Sequence, residues 1–531
     1  MAARKFLVFL LTATADCSIL FGNRESTEEC LDVAIVGGGI GGTYTGWRLK
    51  DQGLKIAIFE STDRIGGRMH SVFLPSIPNV PAELGAMRYV EGVHTTLEGL
   101  LPKLGLQSKE FALDRHSKLF YTRGRRMGVM EFLSDNSPFL LAPTENRNPL
   151  ILAWNASQQL LNTSEPDKIP DIEDAVTVDG VPLYQLGYLN ALNKVWTNEA
   201  KEYIKTFVPF ESLFGSNINA VHRTVVRNPG LPPQHTRTVV GGLQQVPRKL
   251  ADQFLSASNR HKIRLNRRIN TIRKVWLNDR FVYQMTLFET ETLDGHTADK
   301  WVNPHTICAN QVILALPPQA LQNIQWYPLQ QYPHMQTAFK AVTEHSAMKL
   351  FLVYPNAWWS HLNISSSAFN TDLPLRQGGE FGRFRNSSGH EAALFMASYA
   401  DGENNNNYWQ TLRNIAGTIS SSAVPKAHAV STRVAEQVQR HLADVYGIKP
   451  DDIPQPLDGV MHIWNDEQTG GAWQSLKPGY KPKVVSKSVR QPSPSDRVFI
   501  ITNAFSRKLS MWSEGSLEAV NDVLAEFFNL K

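Results

Sequence analysis

The residues best suited to chemistry cluster between positions 31 and 68. In LDVAIVGGGIGGTYTGWRLKDQGLKIAIFE, Gly37, Gly39 and Gly42 give a G-x-G-x-x-G spacing, and Glu60 follows Gly37 by 23 residues. An apolar strand precedes the glycines, a helix pattern runs to about Lys50, and a second strand ends in the acid, which together predict a βαβ nucleotide cradle. Gly37 permits the tight turn, Gly39 lets bare backbone approach a pyrophosphate, and Gly42 lets the helix pack closely, its positive end toward the phosphates. Glu60 is placed to accept from ribose hydroxyls. A plain Gly-rich turn between strands would leave the helix pattern and the terminal acid unexplained. In STDRIGGRMHS, Gly66 and Gly67 then sit between Arg64 and Arg68. More bare backbone and more positive charge suit a long, anionic, extended cofactor better than a surface turn with two solvated arginines.

Two further cations stand in apolar surroundings. Arg88, in AELGAMRYV, needs an anionic partner, because an unpaired buried charge costs several kcal/mol; the partner is either a ligand or nearby Glu83. Lys349 interrupts one face of the strand AMKLFLVYP, and either snorkels at a sheet edge or is held beside something that needs it. The 15 histidines show neither HExxH nor any other metal spacing, and no GxSxG occurs.

These residues need a large frame to hold them. The chain has 531 residues, 42% hydrophobic and 19% charged, with 35 Gly and 30 Pro. That predicts two to four structural units and excludes wholesale disorder or a collagen repeat. A net charge of +5, without basic runs interleaved with aromatics, argues against nucleic-acid binding. Arg4 and Lys5 precede the apolar run FLVFLL and the small-residue site Ala13–Ala15, so residues 1–15 read as a secretory signal; no later stretch is long enough to span a bilayer. Cys17, Cys30 and Cys308 leave two pairings open, Cys17 with Cys30 or Cys30 with Cys308. Sequons at Asn155, Asn162, Asn363 and Asn386 are compatible with export.

The order of these segments resembles the flavin amine oxidase family, along nearly the whole chain after residue 31. There an R-x-G-G-R segment follows the FAD fingerprint, as Arg64 to Arg68 does here. VVGGLQQVPRKLADQF is similar to the family's G-G-x-x-x-(L/V)-P segment, IRLNRRINTI to the strand whose backbone reads adenine near Ile269, and QVILALPPQAL to the strand that returns to the cofactor sheet. The resemblance implies noncovalently held FAD, since Ala472 stands where covalently flavinylated members have cysteine. It places Gly85, Ala86 and Met87 beside the cofactor and makes Arg88 the anchor of a substrate carboxylate. It makes Lys349 a holder of water near the flavin, and Trp473 and Trp512 aromatic walls facing each other across the substrate amine. The last helix, beginning near Ser513 to Gly515, would turn its free N–H groups to reduced flavin. Two departures stand out. Thr502, Asn503 and Ala504 replace a G-(D/E) segment, which removes a side-chain carboxylate from the cofactor site. Phe381 falls where a carboxylate-binding tyrosine is expected.

GAMRYVEGVH, VPLYQL, NAWW, ASYAD and YGIKPDDIP resemble the secreted gastropod L-amino acid oxidases in particular. The implied activity is oxidative deamination of an L-amino acid by dioxygen, releasing hydrogen peroxide in an antibacterial role. The alternatives are an amine or polyamine oxidase, or a secreted defence protein on an oxidase scaffold with weakened flavin binding. The implied fold class is α/β, with a discontinuous Rossmann-like FAD-binding domain (31–92, 236–322 and 455–531), a mixed-sheet substrate domain (93–130 and 323–454) and a helical insertion (131–235).

Overall fold

The computed structural model describes residues 29–530 apart from 112, 114–117, 170–171, 219–227, 232–233, 301, 303, 365, 388, 390, 416, 466–469 and 508. The expected signal segment and Cys17 lie outside the described residues.

LDVAIV and IAIF are apolar on both faces, which suits strands covered on both sides. They become Leu31–Val36 and Ile56–Phe59, the latter buried throughout. Around them a parallel sheet runs in the order Lys262–Arg264, Ile56–Phe59, Leu31–Val36, His305–Leu314. The last of these strands is shared. Its second half pairs in parallel with Val498–Ile500, and its first half is antiparallel to Arg280–Leu293, which forms a hairpin with Arg267–Leu277. Val33, Ile35 and Ile58 point to one face, where Leu250, Phe254, Leu517 and Val520 cover them. Ala34, Val36 and Ala57 point to the other, beneath Leu321, Leu329 and Met335. This is a doubly wound, Rossmann-like layer. A Cys30–Cys308 disulfide ties the chain just before the first strand to its parallel neighbour, settling the pairing of Cys30.

The second sheet is mixed. Its order is Asp458–Trp464, Ala347–Tyr354, Glu391–Asp401, Gln377–Arg385, Phe369–Thr371, Leu119–Thr122, Arg125–Gly128, and Phe369–Thr371 with Leu119–Thr122 is its parallel pair. Helix Thr432–Tyr446 covers one face through Val434, Val438 and Leu442. Helices Pro149–Leu161, Asn198–Phe207 and Glu211–Gly215 gather around a separate core that includes Phe132, Leu152 and Tyr203.

Three expected boundaries move. Asp458–Trp464 hydrogen-bonds to Ala347–Tyr354, so the chain stays in the second sheet past residue 455. Helix Thr95–Lys103 buries Leu97, Leu100 and Leu101 in the cofactor-side core, and Ser108–Glu110 pairs with Thr236–Val239, which places 93–110 on that side. Ile324, Leu329, Met335 and Ala338 likewise pack under the parallel sheet. In each case the partner strand or core decides membership, and the local pattern cannot show it.

Gly42 illustrates how tightly the layer is built. A Cβ there would lie 1.9 Å from the Gly37 carbonyl oxygen, so helix Ile40–Leu49 must retreat to accept one. Gly42→Ala is expected to cost about 1–3 kcal/mol as overpacking, read as a lower denaturation midpoint and less flavin retained through purification.

Candidate functional site

The ends of the parallel strands open into a cavity of about 480 Å³ that runs from Glu60 to Trp473 and Lys349. Its floor at one end is the glycine turn. Gly37 has φ +107°, a conformation glycine adopts freely, and a Cβ there would meet the Ala315 carbonyl at 2.4 Å. Gly39 and Gly66 form a parallel bridge, the Gly66 N–H donating to the Gly38 carbonyl at 3.0 Å. A Cβ on Gly39 would meet only the Gly67 Cα, at 4.0 Å, so bare main chain lines the cavity from both glycine pairs. Glu60 is buried and accepts from the Gly38 N–H at 2.7 Å and from the Thr62 N–H at 2.9 Å. Arg64 donates to the Gly67 carbonyl at 2.8 Å. Arg68 reaches across to Gln474 Oε1 and Asn503 Oδ1, both at 2.7 Å. Burial pulls the Arg68 guanidinium down to about 10, against the opposing pull of Glu344. Ile269, Gly85, Ala86, Met87, Thr502 and Ser513 complete the walls, whereas Gly42 packs the helix and does not line the cavity.

At the other end the chain brings together groups distant in sequence. Ala347–Tyr354 is buried at all eight positions between two neighbouring strands, so Lys349 does not snorkel at an edge. Its Nζ donates to the Gly85 and Glu83 carbonyls and lies 4.8 Å above the Tyr399 ring, its cross-strand partner. Burial lowers the Lys349 ammonium to about 7, Glu83 opposing and Arg88 reinforcing the shift. The Glu83 carboxylate points elsewhere, accepting from the Ser71 hydroxyl at 2.6 Å and the Leu243 N–H at 2.6 Å, and burial raises it to about 7. Arg88 is half-buried on the cavity wall, its guanidinium 5.5 Å from the Phe111 ring centre.

Trp473 and Trp512 both line the cavity but are held by different neighbours. Trp473 meets Phe210 and Tyr399 edge to face at 6.0 and 6.3 Å, and its Nε1 donates to Ser212 Oγ at 3.2 Å. Ser212 is fixed in turn by its N–H to buried Asp401 at 2.9 Å. Trp512 leans on His94 at 4.5 Å. The fully buried Glu514 beside it accepts from the Thr96 and Leu97 N–H groups at 2.7 and 3.0 Å, tying the last helix to Thr95–Lys103.

One placement is corrected. Phe381 lies outside the cavity wall, packed against Phe111 and Phe351, because the ladder slips between Glu380 and Gly382 and re-aims it. The tyrosine at the cavity is Tyr399, in the ASYAD segment; burial raises its phenol, and Arg88 pulls the other way. No sequence signal marks it: only the pairing of Glu391–Asp401 with Ala347–Tyr354 sets it opposite Lys349.

Sequence reasoning also missed an imidazole cluster beside Arg64, with His428 buried and His70 and His462 partly so. His428 and His462 approach Nδ1 to Nδ1 at 3.2 Å, and His70 lies 5.5 and 6.5 Å from them, ring centre to ring centre. Burial, then the charge of Arg64, keeps His428 down at about 4, and burial holds His70 and His462 well below the ordinary value. The unfolded chain therefore takes up protons first as pH falls. The stability contributed is present above pH 6.5 and is lost as the pH falls through about 4. For His428 alone this amounts to roughly 3 kcal/mol. Denaturation midpoints are expected to drop between pH 6.5 and 4, and His428→Asn to flatten that slope.

The cavity fits FAD: bare backbone from two glycine pairs and a helix N-terminus suit a pyrophosphate, a buried carboxylate suits ribose, and aromatic walls close the far end. The comparisons agree. Residues 40–519 match the family model described as flavin containing amine oxidoreductase. The chain is 31% identical to achacin of Lissachatina fulica over 98% of both chains. It is 32% identical to aplysianin-A of Aplysia kurodai, over 99% of this chain and 97% of that one. The fold is similar to that of a solved putrescine oxidase, with TM-score 0.65 over 94% of this chain and 99% of that one at 17% identity. The chain belongs to the flavin amine oxidase family and is an FAD-dependent oxidoreductase.

Proposed function

We propose that the protein is a secreted L-amino acid oxidase: an L-amino acid, dioxygen and water give a keto acid, ammonia and hydrogen peroxide. The observation that carries this reading is Arg88, on the cavity wall close enough to Lys349 and Tyr399 for its charge to be felt by both. A guanidinium at that end suits a carboxylate and repels the distal ammonium of a diamine.

FAD, when bound, supplies the hydride acceptor and delivers the electrons to dioxygen. Gly37, Gly39, Gly66 and Gly67 would offer backbone to its pyrophosphate, Glu60 its ribose contact, Arg64 and Arg68 positive charge, and Ile269 main chain for adenine. Gly85–Met87, Thr502 and Ser513 would line the ring end. With Ala472 at the tethering position, the cofactor is held noncovalently. Arg88 and the Tyr399 hydroxyl bind the substrate carboxylate, and Trp473 and Trp512 orient the amine and exclude water. Lys349 spends two donors on the Gly85 and Glu83 carbonyls and keeps its remaining valence for a water or proton at the reacting face. A substrate arriving as the free amine needs no general base. Peroxide released outside the cell would serve an antibacterial role.

The test is peroxide release across a panel of L-amino acids and their decarboxylated amines, with bound flavin quantified in the same sample. Faster turnover of the amines would replace this reading with an amine oxidase. Absence of flavin absorbance even after added FAD would favour the scaffold alternative, for which the Thr502–Asn503–Ala504 segment is the motive.

A further inference from the structure

The hairpin Arg267–Leu277/Arg280–Leu293 is longer than the core it serves. Its first half is buried through Ile269 and Ile272, and Tyr283 and Met285 face the same apolar cluster. Beyond Tyr283 the same face continues into solvent. Trp276 and Phe281 are direct cross-strand partners, edge to face at 4.7 Å, and they stay 61% and 58% exposed, while Leu277, 42% exposed, and its partner Arg280 occupy the opposite face of the tip. The tip itself is the two-residue turn Asn278–Asp279, both with positive φ, as the tight hairpin turns that keep strands in register require. A packed aromatic pair held rigidly at the end of a twisted hairpin costs hydration and gives nothing to the core.

The charge around the pair points to its partner. Arg273 and Arg280 are exposed on the other face of the protruding hairpin, and Arg497 is exposed at its base, where its backbone N–H donates to the Tyr283 hydroxyl at 2.6 Å. Lys274 lies 5.0 Å over the Phe281 ring and pairs with Asp496 at 2.9 Å. Along the protruding hairpin and its base four cations thus outnumber two carboxylates, Asp279 and Asp496. Amphipathic aromatic rings ringed by excess positive charge match the headgroup region of an anionic bilayer, where rings sit at the acyl boundary and arginines meet phosphates. Among the described residues no helix is long and apolar enough to cross a membrane, so such a contact would be peripheral.

We propose that this hairpin tip docks the protein on anionic phospholipid surfaces, with Trp276, Leu277 and Phe281 entering the interface and Arg273 and Arg280 binding lipid phosphates. The inference is independent of the substrate assigned above. The test is co-sedimentation of the full flavin-loaded protein with phosphatidylcholine vesicles, with and without phosphatidylglycerol. Binding is expected only with the anionic lipid and is expected to weaken with salt. W276A/F281A and R273A/R280A should each lower the partition coefficient at least about tenfold, with flavin absorbance and denaturation midpoint unchanged. Equal binding to both vesicle types, no binding to either, or wild-type partition by both variants would overturn the proposal. A loss of solution mass in W276A/F281A without any vesicle dependence would overturn it in favour of a contact between two copies of the chain.

Discussion

Arg88→Ala is expected to lower kcat/KM for a good L-amino acid by about 10²–10⁴-fold while leaving the rate with the matching decarboxylated amine within about threefold. The size follows from the setting. A two-pronged guanidinium–carboxylate contact in a partly dehydrated cavity is among the strong hydrogen-bonded pairs, and removing one member of a buried pair costs about 3–5 kcal/mol because the other charge is left behind. Each 1.36 kcal/mol is tenfold in rate. Arg88→Lys should recover part of the loss, keeping the charge and losing the fork. Tyr399→Phe removes one neutral donor to a charged group and should cost about 1.5 kcal/mol, roughly tenfold. The diagnostic is the ratio of acid to amine. If acid and amine fall together in Arg88→Ala, the arginine is structural and the cavity takes an amine; if neither falls, the carboxylate binds elsewhere.

How much of this was legible beforehand depends on whether a residue's partners are local. The cradle from Gly37 to Arg68 could be read because turn, helix, strand and acid all lie within one short segment whose spacing encodes their geometry. Arg88 and Lys349 could be singled out because a cation among apolar residues is anomalous wherever it sits. Tyr399 could not, since nothing in ASYAD shows that Glu391–Asp401 pairs with Ala347–Tyr354 and sets its ring under Lys349. The opposite error arose at Phe381, where alternation along the strand is broken by the register slip at Glu380–Gly382. The imidazole cluster needed His70, His428 and His462 from three separate segments, a contact that only the packed chain creates. The sheet membership of Asp458–Trp464 was hidden for the same reason: a short apolar strand looks alike in either sheet.

Lys349→Met should separate the two halves of the reaction. The ammonium is fully enclosed, held by two carbonyls and by the Tyr399 face, and burial has brought it down to about 7. Such a group is poised to supply positive charge where dioxygen accumulates negative charge, and a preorganised electrostatic contact of that kind is worth about 10²–10³ in rate. The expected result is a fall of about 10²-fold in kcat/KM for dioxygen with less than about threefold change in kcat/KM for the amino acid. The pH profile supplies the sign. With a depressed ammonium, the charged form exists below about 7 and is lost above it, so the dioxygen term should decline as pH rises through that point, and the decline should shrink or move in the methionine variant, which leaves only the buried Glu83 carboxyl titrating there. Methionine has nearly the same length and leaves the Gly85 and Glu83 carbonyls without their donor, a loss of about 1–3 kcal/mol each that the removed charge burial offsets. The denaturation midpoint and flavin content should therefore stay close to those of the parent. An equal drop in both kinetic terms, or a pH profile identical to that of the parent, would assign Lys349 to holding the Gly85 segment in place and leave the oxygen step to another group.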